Sequence, residues 1–237
     1  MSRREGMKTV GIIGGIGPES TIDYYRSIIA AYREQKKDGS YPSMIINSID
    51  LKKMLDLIAA DRLEDVTDYL VAEVGKLGRA GADFGIMAAN TPHIVFEAIR
   101  SRSSIPLVSI VHAACEAAKA LNLKRLGLFG TRFTMEGRFY PDVFSERGIS
   151  LVVPEQDERV YIHDKYMNEL VKGVSLTETR DRFLAIVRRM KEQEGLQGLI
   201  LAGTELPLIL RDIHDEGFSF LDTTQIHVRS VVTRLLS

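Results

Sequence analysis

"ILAGTELPLIL", residues 200–210, is the stretch that decides the fold. It is apolar up to Ala202, breaks at Gly203, presents Thr204 and Glu205, and resumes at Leu206–Pro207. A buried strand that ends and hands over to a helix has this pattern, because proline is well tolerated in a first helical turn. "IMAANTPHIVFEAI" at 86–99 aligns with "ILAGTELPLILRDI" at 200–213 without a gap, an offset of 114 that sets Ala89 against Gly203 and Asn90 against Thr204. The same local design occurs twice.

Two further matches extend the repeat. "VGIIGGIGPESTIDYY" (10–25) and "LGLFGTRFTMEGRFYP" (126–141) share a strand, a turn and a tyrosine at offset 116, Tyr24 against Tyr140. "PLVSIVHAACEAA" (106–118) and "SFLDTTQIHVRSV" (219–231) match at offset 113. Three segments at nearly constant spacing argue for two fused α/β units. The expected division is residues 7–105 plus a C-terminal helix at 224–236 for one half, and 106–223 for the other. Strands are expected at 8–13, 44–48, 84–88, 107–110, 126–130, 150–153, 198–202 and 219–221. Amphipathic stretches such as "STIDYYRSIIAAYREQKK" alternate with them. Continuous apolar strands between such helices predict an α/β fold of two pseudo-symmetric domains, each a central parallel sheet flanked by helices. Ligands in such sheets bind beyond the carboxyl ends of the strands. The expected site is therefore the cleft between the halves, lined by "GGIGPEST", "AANTPH", "GTRFT" and "AGTELP".

Composition narrows the function classes. The chain has 237 residues, 45% hydrophobic and 27% charged, a globular balance. A net charge of −1 supplies no field for nucleic acid or an acidic membrane surface. The single cysteine, Cys115, forbids an internal disulfide and suits a reducing compartment. The apolar part of "MSRREGMKTVGIIGG" is short and broken by glycine, so no signal peptide is expected and "MSRREG" reads as a loose extension. No run approaches the roughly 20 apolar residues of a membrane helix. A cytoplasmic protein is expected.

Each loop has a functional and a plain reading. In "GGIGPEST", Gly15, Ile16 and Gly17 permit close backbone approach by a carboxylate or phosphate, and Ser20 or Thr21 is placed to cap the next helix. Pro18 and Glu19 exclude a dinucleotide fingerprint. Asn90 and Thr91 offer hydrogen bonds to a carboxylate or amide, or a helix cap. Thr131 and Thr134 offer contacts to an anion beside Arg132, with Thr134 alternatively a cap. Lys165, or Lys52 and Lys53, offer a cation to an acidic substrate, or are solvated surface. Histidines at 93, 112, 163, 214 and 227 show no metal-ligand spacing, so no metal is expected. His93 reads as solvent-facing or cap-supporting, and Cys115 as a buried apolar residue.

With "GIIGGIGPESTIDYYR", "GAD", "ANTPH", "LGLFGTRFTM", "GTELPLIL" and "LDTTQIH" in order, the chain resembles the aspartate/glutamate racemase family along nearly its full length. The resemblance implies an isomerase that needs no cofactor and acts at the α-carbon of an amino acid. It implies two facing cysteines, one per half, in C-N-T and G-C-T-E strings. One thiolate removes the α-proton while the opposite thiol protonates the other face. Carried over, those positions are Ala89 and Gly203. A methyl group and a hydrogen cannot move protons. The loops still offer a pocket for a small carboxylate or amino acid, with Gly15, Ile16, Gly17, Asn90, Thr91, Thr131, Thr134, Lys165, Gly203, Thr204 and Glu205 as the expected contacts. Glu205 and Thr91 are the candidate catalytic groups, with Thr204 and His93 near them. An isomerase with other catalytic groups, a binding protein without turnover, a chain with replaced catalytic residues, and a lyase or decarboxylase on the same scaffold all remain open. A homodimer is a further implication.

Overall fold

The computed structural model describes residues 8–210 and 217–237. The "MSRREG" extension, His214 and the last three aligned residues of the 200–213 repeat lie outside them. The chain divides into two compact units. One runs to Ser109 and takes back His227–Ser237, and the other is Ile110–Ile226.

The first unit is built on β1 (Thr9–Gly14), β2 (Ser43–Ser48) and β3 (Phe84–Met87), all parallel in the order β2-β1-β3. Val10, Ile12 and Ile13 of the central strand are fully buried, as a parallel strand covered on both faces requires. The edge strand β2 is only partly covered. Helices α1 (Pro18–Lys36), α2 (Leu51–Ala59), α3 (Leu63–Arg79) and α4 (Phe96–Arg102) complete the crossovers. The second unit carries β4 (Arg125–Gly130), β5 (Ser150–Val152), β6 (Gly198–Ala202) and β7 (Ser219–Asp222), parallel in the order β5-β4-β6-β7. Its helices are α5 (Ile110–Ala120), α6 (Arg132–Glu136), α7 (Phe139–Ser145), α8 (Gln156–Asn168), α9 (Thr177–Glu194) and α10 (Leu206–Leu210). Helix α11 (Thr223–Leu236) begins in the second unit and ends in the first.

The expected strand at 107–110 is corrected. Leu107 makes one isolated parallel bridge to Gly85, and Ile110 already opens α5. Gly85 N–H donates to the Pro106 carbonyl (2.9 Å) and Val108 N–H to the Gly85 carbonyl (3.0 Å). Pro106 has no N–H to extend the ladder, and the Val108 carbonyl is taken by His227 Nε2 at 3.1 Å. The repeat still holds in register. Gly85 pairs with Leu107 as Leu199 pairs with Phe220, and those positions are related by the 114 and 113 offsets of the sequence matches.

Two buried tyrosines mark the cores. Tyr24 packs with Val10, Ile12, Ile28, Phe84 and the α11 residues Val228, Val231, Val232 and Leu235. Tyr140 packs with Leu126, Leu128, Phe144, Ile200 and Leu221. The other face of the second sheet is closed by α8, α9 and α10 through Ile162, Tyr166, Phe183, Ile186, Leu206 and Leu210. Each such side chain contributes about 1.5–3 kcal/mol on burial.

Candidate functional site

At the end of β1 the glycines are required. Gly15 and Gly17 have φ of 78° and 102°, and a Cβ on Gly15 would meet the Ile49 carbonyl at 2.4 Å. Neither expected cap is a cap. Helix α1 starts at Pro18 with Gly17 before it and no side-chain cap. Thr21 sits inside the helix, where its hydroxyl oxygen accepts from Gly15 N–H (2.9 Å) and donates to the Gly17 carbonyl (3.2 Å). Pro18 at the first helical position shifts the start three residues upstream of Thr21. Ser20 donates to the Ala88 carbonyl at 2.6 Å, which ties this loop to the end of β3.

Beyond β3, Asn90 and Thr91 are buried and lead into a 3-10 turn, Thr91–Val95, with no side-chain cap from Asn90. His93 is 2% exposed, contrary to a solvent-facing reading. It stacks on Phe96 with ring centroids 5.0 Å apart. Its Nδ1 lies 3.1 Å from the Ala89 carbonyl. A carbonyl only accepts, so Nδ1 carries the proton and His93 holds the backbone of position 89 in place.

In the second unit, β4 ends in Gly130 beside the end of β6, since Gly130 pairs with Ala202. Thr131, not Thr134, is the cap: its side chain accepts from Thr134 N–H. The two threonine hydroxyls stand 3.2 Å apart. Thr134 is fully buried.

The end of β6 is built differently. A Cβ on Gly203 would lie 2.5 Å from Tyr166 Cε2 and 2.9 Å from its hydroxyl. The side-chain space of position 203 is therefore filled by the Tyr166 ring, which α8 carries in from the core. The phenol donates to Glu205 Oε2, and Thr204 Oγ1 donates to the same oxygen at 2.7 Å. Glu205 is 6% exposed. Burial, and then the neighbouring Glu205, hold the Tyr166 phenol well above the ordinary tyrosine range, so it stays a donor. The short side chain of Thr204, next in sequence, reaches Glu205 without crossing another element. Gly203, Thr204 and Glu205 thus supply glycine space, hydroxyl and carboxylate in succession on one strand end, and α8 supplies the aromatic filler, Tyr166.

The cations are engaged elsewhere. Lys165 Nζ pairs with Glu169 Oε1 at 2.5 Å, and Thr179 holds the other oxygen of that carboxylate at 2.6 Å. Lys52 pairs with Asp56, and Lys53 lies 4.1 Å from the Tyr69 ring centroid. Both line a surface cavity of about 320 Å³ with Asp50, Leu57, Ala60 and Arg62, none of them a strand-end residue named above. Cys115 is buried on α5 with its thiol toward the Val143 carbonyl. Burial pushes that thiol up to about 11. Among the described residues no group of three acidic, histidine or cysteine side chains is placed to hold a metal ion. No described helix is long and apolar enough to cross a membrane.

A family model of Asp/Glu/hydantoin racemases matches residues 13–231. The chain belongs to that family. It is 25% identical to the broad specificity amino-acid racemase RacX of Bacillus subtilis, over 96% of this chain and 98% of that one. A crystal structure of an aspartate racemase homologue from Pyrococcus horikoshii is 33% identical, with a TM-score of 0.84 over 98% of this chain and all of that one. Glutamate racemase from Francisella tularensis, solved with D-glutamate, has a TM-score of 0.65 at 13% identity over 97% and 81% of the two chains, a likeness of fold alone. The racemase-family fold of two parallel α/β units is thus established on both sequence and structure.

Within the first unit, the structure brings the Gly15–Gly17 loop and the Asn90–Thr91 turn together through Ser20 and Ala88. Within the second it brings together the ends of β4 and β6. Nothing in the local sequence marks Tyr166, the neighbour of Lys165, as a site residue. The signal was the glycine itself. A strand-tip glycine without positive φ has to be explained by something occupying its side-chain space.

Proposed function

We propose that this chain binds a small amino acid or carboxylate at its strand ends and does not carry out racemisation by two opposed thiols. The observation that carries this reading is the Tyr166 ring in the side-chain space of position 203. A thiol there would have to displace a buried ring. Ala89 at the matching position supplies a methyl group, and Cys115, held by α5 in the core, is a poor nucleophile and base at neutral pH. The proposed contacts are the backbone of Gly15, Ile16 and Gly17 with Asn90 and Thr91 in one unit, and Thr131, Thr134, Lys165, Gly203, Thr204 and Glu205 in the other. Each hydrogen bond to a charged ligand is worth roughly 1.5–3 kcal/mol. Asn90→Ala/Thr204→Ala should therefore weaken binding of aspartate or glutamate at least tenfold in calorimetry. No heat with any amino acid or dicarboxylate would remove the reading.

A second reading is an isomerase that uses Glu205 as base, with Thr91 as its candidate partner. It is favoured by a carboxylate at the end of β6 next to the position the family resemblance assigns to a thiol. Against it, Oε2 already accepts hydrogen bonds from two hydroxyls, Tyr166 and Thr204. Exchange of the α-proton in deuterium oxide, followed by proton NMR, separates the two. Exchange lost in Glu205→Gln supports the isomerase, and none with any amino acid supports the binding reading. The same reading includes a cytoplasmic homodimer. Sedimentation should then give twice the 26.5 kDa of one chain.

A further inference from the structure

Strand β2 is the outer strand of the first sheet and is hydrogen-bonded to β1 alone. Ile49 N–H donates to the Gly14 carbonyl at 2.9 Å, and Gly14 is in register with Ser48. Backbone groups point to alternate sides along a strand, so Ser43, Ile45 and Asn47 turn theirs toward β1. Met44, Ile46 and Ser48 turn theirs outward, where they have no hydrogen-bond partner among the described residues. Open edges in globular proteins are blunted by charge, proline or a bulge. "SMIINS" at 43–48 has no charge and no proline, and it pairs with β1 residue for residue without a bulge.

The side chains beside that edge are apolar. Met44 packs against the cluster of Tyr24, Ile28 and Tyr32 under α1. Residues two apart share a strand face, so Ile46 faces the same way, yet it is 41% exposed. Helix α1 buries Ser20, Tyr24, Ile28 and Tyr32. Glu19, Ile22, Tyr25, Ile29, Arg33 and Lys36 follow one another at three or four residues and form a second stripe, in which Ile22 and Tyr25 are 43% and 46% exposed. The Arg33 guanidinium lies 5.0 Å from the ring centroid of Tyr41, two residues before β2, which sets the stripe on the flank of α1 next to β2. An open, uncharged strand edge with an apolar helix flank above it fits a second strand that carries a helix of its own. The chain supplies that pair. About a two-fold axis normal to the sheet, the copy's β2 and α1 run antiparallel to the originals. Strands pair at about 4.8 Å, and α1, the crossover between β1 and β2, then lies about 10 Å from its copy, where helices pack. Charge agrees with that orientation. Helix α1 carries Glu19 in its first turn and Arg33 and Lys36 in its last, so an antiparallel copy brings acidic end toward basic end.

We propose that two copies of this chain join through β2, edge to edge and antiparallel, with the Ile22–Tyr25 flank of each α1 closing over the junction. This rests on the homodimer proposed above and names its interface. The first test is sedimentation equilibrium over a range of concentrations. Ile46→Lys puts two ammonium groups into the junction and should raise the dimer dissociation constant by about tenfold or more. Tyr25→Glu, on an exposed helix position, should weaken the dimer as well while the circular dichroism spectrum stays native, and it decides the matter if Ile46→Lys does not fold. The second test is amide exchange read by NMR. The amides of Met44, Ile46 and Ser48 should exchange slowly in the wild-type dimer and fast in monomeric Tyr25→Glu, whereas those of Ile45 and Asn47, bonded to β1, should be slow in both. A dimer of undiminished affinity in the variants, or fast exchange at the three outward amides of the wild-type dimer, overturns this interface and leaves the homodimer standing. A wild type that stays monomeric overturns both.

Discussion

The two strand ends that the repeat makes equivalent are finished in opposite ways. After β3, position 89 is a half-buried alanine whose carbonyl is held by His93. After β6, position 203 is a buried glycine roofed by Tyr166, and the residue two further on is a carboxylate rather than a threonine. The same contrast runs through the cores. Tyr24 and Tyr140 occupy matching places and are both fully buried. Tyr24 bonds His227 Nδ1 at 2.9 Å, whereas Tyr140 is hydrogen-bonded with Thr223, whose hydroxyl donates to the Leu201 carbonyl at 2.8 Å. A duplicated frame thus keeps its geometry while each copy meets the same buried polar group with different chemistry. One copy is titratable and the other is not.

The largest effect should come from removing the roof. Tyr166→Ala deletes a buried aromatic side chain and one of two donors to Glu205. Large aromatic truncations cost about 3–5 kcal/mol. Urea denaturation should show a loss in that range. The counterpart in the first unit is His93, which holds the Ala89 carbonyl, and its truncation should cost less. Equal losses would break the comparison.

Acid should separate the two cores. His227 is fully buried, and burial drives its pKa from 6.5 down to about 4. Its Nε2 faces the Val108 carbonyl, so the neutral ring donates there and accepts from Tyr24 at Nδ1. Because the folded value is depressed, the unfolded chain binds the proton first as pH falls. Stability from this group is complete above about 6.5 and is lost progressively down to about 4. The shift of roughly 2.5 pH units corresponds to about 3 kcal/mol. The pH dependence of unfolding free energy should flatten across that window in His227→Gln. An unchanged slope would show that the ring is already charged or accessible. Tyr140→Phe, in the other core, should leave the slope as it is.

Much of this was legible in the chain. The offsets of 114 and 113 between repeated segments located both sheets and even the register of the Leu107 bridge. Continuous apolar runs such as residues 126–130 and 198–202 announce parallel strands because both faces are covered. Residues 107–110 form a single bridge followed by a helix and not a full strand, a distinction that apolar character does not make. At the starts of α1 and α6 two hydroxyls compete, Ser20 with Thr21 and Thr131 with Thr134, and the local sequence does not choose between them. Tyr166 was not legible at all. Its partner Gly203 is 37 residues away in sequence, and nothing local says which side chain fills a glycine's empty space.

That pairing gives a milder test of the contrast. Gly203→Ala adds one methyl group against the Tyr166 ring, and overpacking of this kind costs about 1–3 kcal/mol. The cost should shrink when Tyr166 is first cut to alanine, a coupling that independent sites would not show. The same logic governs any attempt to reinstate two thiols. Ala89→Cys/Gly203→Cys alone leaves the second sulfur competing with the ring, so a smaller residue at 166 is needed as well. α-Proton exchange that returns in the double variant without any change at 166 would show that the ring moves aside readily, and the filled-space argument would fail.

The smallest expected effect concerns Cys115, and its smallness is the point. Its thiol is 1% exposed, and burial raises its pKa to about 11. At pH 8 the thiolate fraction is then about one in a thousand, and the thiolate is the reactive form. Iodoacetamide should label the native protein far more slowly than the urea-unfolded chain, with mass spectrometry as the readout. Amino-acid binding should be the same before and after mild treatment. Cys115 faces the Val143 carbonyl from α5 and packs with Tyr140 and Phe144, contacts that place it in the core rather than at a strand end. Rapid labelling of the folded protein, accompanied by loss of binding, would mean that the one thiol in the chain does reach the ligand. The division between a methyl-bearing end in one unit and a ring-covered end in the other would then no longer account for the chemistry.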